Sequence, residues 1–378
     1  MPVDVWGFDL ERQTTARRFR SMRRKLSAVR GGVFAAVVLL FVLGGSARLR
    51  DVVLDLAGPG WIAPVLFLAV LFALFALLEL PFGYVAGYQW EKAAGMSSQS
   101  LAGWMKDLAK SWGLGLVATI ATGAGLLWLL ATFPTTWWVI AWGLGLGVSA
   151  VLGFVAPVLL VPLFYRFRPL EDAALRSRFE SLAARAKVPI LGVFELRASA
   201  KTRRSNAAVM GFGRTRRVVV TDTLLQGFSP EEVETVLAHE LAHQKYRDPI
   251  RGFLSGSAVS LVVLALVGWV YSATLLSAGI RTLGDMAGLP FLAALFALLA
   301  WPLHPLELYA SRTREARADR FALDLTRDSA NFISAMVKLH DRNLGVANLG
   351  RWETWLFYSH PSGRDRVEMA RALRPSNA

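Results

Sequence analysis

The sequence predicts a mainly α-helical, multi-pass membrane protein of about six spans, with a polar α+β part carrying a small β-sheet. Three observations predict it. The 378 residues are 54% hydrophobic and only 19% charged, against about 45–50% and about 25% for an ordinary soluble domain. The apolar residues collect in long uncharged runs. The Lys and Arg behind the formal net charge of +14 lie between those runs. The same composition argues against disorder, which needs few apolar residues. With no Cys, disulfides, thiol catalysis, iron–sulfur clusters and Cys-based zinc sites are excluded.

The elements follow in order. The first thirty residues are polar and hold eight Lys/Arg, among them Arg17, Arg18, Arg20, Arg23, Arg24 and Lys25. Gly31–Ala47 is apolar but short, since about 20 residues cross the hydrocarbon core. Further apolar runs follow it, so an uncleaved anchor is expected rather than a secretory signal. Leu56–Leu78 has no charge, and Glu79 closes it. With Pro81, Tyr84 and Trp90 close by, Glu79 is expected at the interface. Ser111–Tyr165 is uncharged for 55 residues, too long for one helix. Pro134 within Phe133–Thr136 divides it into two. Gly252–Ile280 and Met286–Leu306, separated by a polar turn at 281–285, complete the set.

The positive-inside rule places the basic N-terminus in the cytoplasm, together with 86–110, 166–251 and 307–378. These hold nearly all the remaining Lys/Arg; Arg48, Arg50, the Pro134 turn and the 281–285 loop fall on the other side. The charge excess is thus topogenic, and nucleic acid is not an expected partner. The chain reads as an integral multi-pass protein of the cytoplasmic membrane. Its parts are 1–165 (basic tail plus four spans), 166–251 (first polar part), 252–306 (two-span hairpin) and 307–378 (second polar part).

Within 166–251 the pattern reads helix (Leu170–Ala186), strand (Gly192–Leu196), then a hairpin of Asn206–Phe212 and Arg217–Thr221 around 213–216. The Val218-Val219-Val220 run supports the second strand. Asn206–Phe212 suits either an exposed edge that an extended peptide could join or an internally paired strand. Arg203, Arg204, Arg214, Arg216 and Arg217 crowd the hairpin. Attraction to anionic lipid headgroups is the expected role; recognition of a substrate carboxylate is the narrower alternative. Ser229-Pro230-Glu231-Glu232 opens the next helix, with a capping Ser, Pro at the first position and acids in the first turn.

That helix holds His239-Glu240-Leu241-Ala242-His243. Histidines at i and i+4 share a helical face, so both can reach one metal ion. Glu240 stands beside them, placed to take a proton from a water that the metal activates. A hydrolytic zinc site needs a third protein ligand and an open position. The short extension His-x-x-Gly-x-x-His is absent; Gln244-Lys245-Tyr246-Arg247-Asp248-Pro249 follows. Asp248 is not diagnostic. A Glu from a separate helix is the other solution, and Glu315 in Ser311–Asp319 supplies one. Asp319, four residues on, shares its face and could accept the free ring N–H of a ligand His. The competing reading is a solvated charged helix with Arg312, Arg314, Arg317 and Arg320.

The HELAH motif, two apolar spans and then SRTREARAD resemble the type I CAAX prenyl protease family of integral-membrane zinc metalloproteases and its bacterial relatives. Met96-Ser97-Ser98-Gln99-Ser100-Leu101 with Trp104 and Asp107, Asn206–Gly213 with Arg217–Leu225, and Ser359-His360-Pro361-Ser362 with Arg366 extend the resemblance. It implies a cytoplasmic zincin-like metalloprotease domain with one Zn2+. His239, His243 and Glu315 would be its ligands and Glu240 the catalytic base, with Asn206, His360 and Arg366 around the site. His360 or Asn206 could donate to the oxyanion. Arg366 could pair with Glu315 or the substrate backbone. His304 and His340 are expected to be structural. The implied partners are a peptide or protein substrate, lipidated or membrane-bound, and membrane lipids.

The family's eukaryotic members carry one more span before the motif. A chamber closed by seven helices is therefore not expected, and the basic N-terminal segment could instead lie along the interface. A site-two-type intramembrane protease would place the motif inside an apolar span, whereas Glu231, Glu232, Glu234, Lys245, Arg247 and Asp248 flank it here. A non-catalytic scaffold or transporter finds no support in the motif, where Glu240 is intact.

Overall fold

Asp9 opens the first helix by accepting a hydrogen bond from the Arg12 amide at 2.9 Å. The helix α1 (Leu10–Leu40) then runs unbroken through the basic segment into the first apolar run. The computed structural model describes residues 2–211 and 213–373, apart from the side chain of Arg214. Phe212, the expected end of the first hairpin strand, and the Arg214 side chain lie outside that description.

The basic segment is thus not a separate stretch laid along an interface. Helix-favouring Arg, Lys, Leu and Met carry it straight into the span. Arg20 reaches Glu353 at 2.6 Å and Arg23 reaches Glu91 at 3.1 Å. The short apolar run becomes part of the helical stretch Leu10–Ala57, kinked at Gly44 with φ +114°. Only glycine adopts that backbone without strain. Helix α2 (Ser46–Ala57) follows the kink.

Helix α3 (Ile62–Gly83) carries Glu79, which pairs with Arg30 of α1 at 2.7 Å. Helix α4 (Leu101–Thr132) and α5 (Trp137–Val155) flank the break at Pro134 that the sequence foretells. Strand β1 (Phe167–Pro169), unforeseen in the sequence, precedes α6 (Ala173–Arg185). Then come β2 (Gly192–Leu196), β3 (Ala207–Met210) and β4 (Arg217–Thr221). The sheet order is β1-β2-β4-β3, with β2 and β4 parallel and both outer pairings antiparallel. So β3 is an edge strand that is also paired on its inner side.

The longer helices that follow are α7 (Pro230–Lys245), α8 (Asp248–Thr274), α9 (Leu289–Ala300), α10 (His304–Thr326), α11 (Ser329–Asn343), α12 (Arg351–Phe357) and α13 (Gly363–Ala372). Among the described residues, six helical stretches are long and apolar enough to cross a membrane: Leu10–Ala57, Ile62–Ala93, Leu101–Thr132, Trp137–Phe164, Asp248–Thr274 and Met286–Thr326.

The core of the polar part lies between the sheet, α6, α7 and α11, with Val218, Val220, Leu237, Leu241 and Phe332 buried in it. A second core, around Trp137, Val263, Tyr271 and Leu292, binds the spans together. The charge partition is visible as two ends. Arg50 of α2 meets Asp285 of the 281–285 loop at 2.5 Å in a buried pair. At the opposite end the four basic segments meet one another, Arg24 on Glu353, Arg204 on Glu91 and Lys201 on Asp107.

Candidate active site and metal centre

Helix α7 is positioned from its first turn. Ser229 Oγ accepts from the Glu232 amide, and Glu232 Oε2 accepts from the Ser229 amide at 2.8 Å, a reciprocal capping box. Glu232 is buried and also receives Ser334 at 2.5 Å and Lys338 at 2.8 Å, both from α11. The helix is packed on nearly every side and is not one of the six long apolar stretches. Its one open face carries the chemistry.

On that face His239 Nε2 and His243 Nε2 lie 3.3 Å apart. Glu315 of α10 closes the triangle, with Oε2 at 3.2 Å from His239 and Oε1 at 3.5 Å from His243. These separations match the roughly 3.3 Å edge of a tetrahedron whose bonds to the metal are about 2.0–2.1 Å. Glu315 Oε2 is buried without a hydrogen bond of good geometry. A buried carboxylate oxygen left so is costly. Two imidazole nitrogens and a buried carboxylate, aimed at one point, fit a metal ion.

Each imidazole is held from behind. His239 Nδ1 meets Asp319 Oδ1 at 2.7 Å, and Asp319 is fully buried. Arg366 of α13 donates to Asp319 through Nε at 2.8 Å and through Nη2. His243 Nδ1 meets Asp248 Oδ2 at 3.0 Å, and Arg317 donates to Asp248 Oδ1. With the Nδ1 proton directed at a carboxylate, each Nε2 lone pair faces the centre. Burial lowers the His239 pKa, but Asp319 and Glu315 together more than offset this and raise it to about 9.

Glu240 stands beside the triangle, half-buried, and its carboxylate makes no hydrogen bond to the described residues. Burial raises its pKa above the ordinary carboxylate value, against the pull of His239 and His243. His360 Nδ1 lies 2.7 Å from Glu315 Oε2, on a side chain 58% exposed. Arg366 corrects one expectation. It pairs with Asp319 rather than Glu315, because α13 brings it in behind His239.

Asn206 lies just before β3, exposed, with its Oδ1 accepting from the Ala207 amide at 2.9 Å. Its side chain bonds none of the three clustered residues. Strand β3 runs beside α7, where Gln244 Nε2 donates to the Val209 carbonyl at 3.3 Å. The basic cluster of the hairpin is partly spoken for. Arg204 pairs with Glu91 at 2.8 Å, Arg216 donates to Gln244 at 3.0 Å, and Arg217 lies over Phe194. Ser97 bridges to Thr202, and Gln99 donates to Asp107 at 2.6 Å, which docks the 96–107 segment beside the hairpin. His340 is half-buried, its Nδ1 donating to the Met336 carbonyl at 2.9 Å, and desolvation lowers its pKa to about 4. It touches none of the three clustered side chains. His304 is exposed, 3.9 Å from Glu307.

Sequence reasoning missed Asp248 and Arg317. Asp248 was visible as an acid just past the motif. It reaches back to His243 only because Arg247 turns the chain through a left-handed conformation, φ 55°, which an Arg does not announce.

Comparison with known proteins agrees with this geometry. The model for Peptidase family M48 matches residues 169–374. A second, described as CAAX prenyl protease N-terminal, five membrane helices, matches residues 7–166. Over that range the described residues form four long apolar helical stretches, the first shared by α1 and α2. An uncharacterized metalloprotease, YhfN, from Bacillus subtilis is 29% identical over 88% of this chain and 79% of its own length. A CAAX prenyl protease 1 homolog from Arabidopsis thaliana is 29% identical over 81% of this chain and 72% of its own. The crystal structure of S. mikatae Ste24p shares the fold, with a TM-score of 0.83 at 24% identity, covering 95% of this chain and 88% of that one. This chain belongs to peptidase family M48 and is a membrane-embedded metalloprotease, a hydrolase that acts on peptide bonds in protein substrates.

Proposed function

We propose that the metal is zinc, held by His239, His243 and Glu315, and that the polar parts at 166–251 and 307–378 form one catalytic domain on the cytoplasmic side of the cytoplasmic membrane. The observation that carries this is the convergence of the three ligand atoms within 4.8 Å of one another, with Glu240 beside them. When bound, zinc supplies Lewis acidity toward a water and the scissile carbonyl.

The chain's own residues do the rest. Glu240 takes the proton of the attacking water and delivers it to the leaving amine. Its raised pKa suits both halves of that transfer. His360, exposed beside Glu315, donates to the carbonyl oxygen as negative charge develops there. Asp319 and Asp248 fix the two imidazoles, and Arg366 holds Asp319 in place. Strand β3, running along α7 just after Asn206, offers backbone groups to an extended peptide.

The substrate class we infer is a membrane-bound protein tail, lipidated in the manner the relatives' names indicate. An apolar cavity of about 900 Å³ between α1, α3 and α9, lined by Phe34, Val38, Phe72, Phe75 and Leu298, supports it. General processing of membrane proteins or their quality control uses the same chemistry.

The test is Glu240→Gln. Cleavage of a reporter peptide should fall by about 10²–10⁴-fold while one zinc per chain stays bound. Retained turnover would sink the mechanism. Matched peptides with and without a farnesyl group then decide the substrate class: equal kcat/KM would remove the lipidated tail from the proposal.

A further inference from the structure

The N-terminal residues 2–9 precede the first span, yet they reach the helix that carries Arg366. Phe8 is fully buried, in a cluster with Val367 of α13 and Ala347, walled by Trp6, Ile333 and Val337. Its ring meets His340 edge-on at 5.6 Å. A Cβ on Gly363, the first residue of α13, would stand 3.0 Å from Phe8 Cζ, so helix and ring are already in tight contact. Trp6 grips the outer side of α13: its Nε1 donates to Glu368 at 3.0 Å, and the Arg364 guanidinium lies over its ring at 4.8 Å.

The segment is itself braced. Asp4 Oδ1 accepts from the amides of Trp6 and Phe8 at 2.9 and 3.0 Å. The Asp9 amide donates to Asp341 at 3.0 Å, and buried Gln13 bonds Asp341, the Gly345 carbonyl and the Ala347 amide. Four long helical stretches precede β1. An even number of crossings returns the chain to the side it left, which is what these contacts require.

Helix α13 spans 10 residues, too few to hold itself in place without packing. Arg366 projects from it to make two bonds to Asp319, which orients His239. Such positioning must hold within about 0.5 Å. We propose that residues 2–9 are a clip on α13, and that Phe8 is a positioning residue acting through Arg366 on the metal ligand His239. This rests on the metal-site reading above.

The experiment is a double-mutant cycle on the full-length protein, read out as the Zn2+ dissociation constant by chelator competition. Phe8→Ala should weaken Zn2+ about tenfold, in the range of lost outer-shell support. Phe8→Leu, which refills most of the space, should restore most of it, and Val5→Ala, at a side chain 75% exposed, should leave it unchanged. In an Arg366→Ala background the Phe8→Ala effect should shrink below about twofold, because the route is already cut. If Phe8→Ala does not fold, Trp6→Ala is carried through the same cycle. Equal weakening in both backgrounds, or none in either, overturns the clip while leaving the metal site standing. A wild-type chain that binds no Zn2+ overturns both.

Discussion

Two histidines one helical turn apart are held by two carboxylates, and the two arrangements differ in depth and origin. His239 is backed by Asp319, from another helix and 0% exposed, and then by Arg366, 11% exposed. His243 is backed by Asp248, five residues on, and then by Arg317, 34% exposed and stacked on Tyr246 at 4.3 Å. The geometry delivered to the metal is the same. The first depends on three helices, α7, α10 and α13, being in place together. The second depends on one tight turn and a side chain that water can still reach. A buried charge that loses its partner is stranded, whereas a half-exposed one is resolvated.

The largest expected effect is on the buried side. Asp319→Ala strands Arg366 and frees the His239 ring. It should cost about 3–5 kcal/mol of stability, read by chemical denaturation, and weaken zinc about 10–100-fold. Next is pH. In the metal-free protein, Asp319 and Glu315 together outweigh burial and raise the His239 pKa to about 9. Zinc must displace that proton, so affinity should climb about tenfold per pH unit and level off near that value. A flat metal titration between pH 6 and 8 contradicts the assigned pairing.

Asp248→Ala should be milder. Zinc weakens about tenfold, with a stability change of about 1 kcal/mol because Arg317 is partly solvated. Equal losses for the two Asp variants would show that depth does not matter here. The smallest effect is expected for Arg317→Lys, within about twofold in zinc affinity. Arg366→Lys, which cannot reproduce two bonds to one carboxylate, should lose several-fold.

Much of this was readable before any coordinates. The helix break at Pro134 and the capped start at Ser229 are local signals and stand where expected. Glu315 was reachable by elimination, since a site with only His239 and His243 is short of a ligand. The short strand β1 was not legible, because three residues carry no period. Arg366 was placed near the site with Glu315 or the substrate backbone as its partner; that it meets Asp319 instead depends on the approach of α13.

The basic N-terminal segment divides the two kinds of knowledge most clearly. Its charge, its placement before an apolar run and the side it shares with the other basic segments follow from composition along the chain, because burying ions in hydrocarbon is prohibitive at any single position. That Phe8 ends up against α13, and Asp248 behind His243, depends on how helices hundreds of residues or one left-handed turn apart come to pack. Such contacts are set by shape and by the summed balance of burial and entropy across the whole molecule. The candidate ligands His239 and His243 belong to the first kind, since their spacing on one helix is local geometry, whereas Glu315 reaches them only through the packing of α10 on α7. The groups that aim those ligands belong largely to the second.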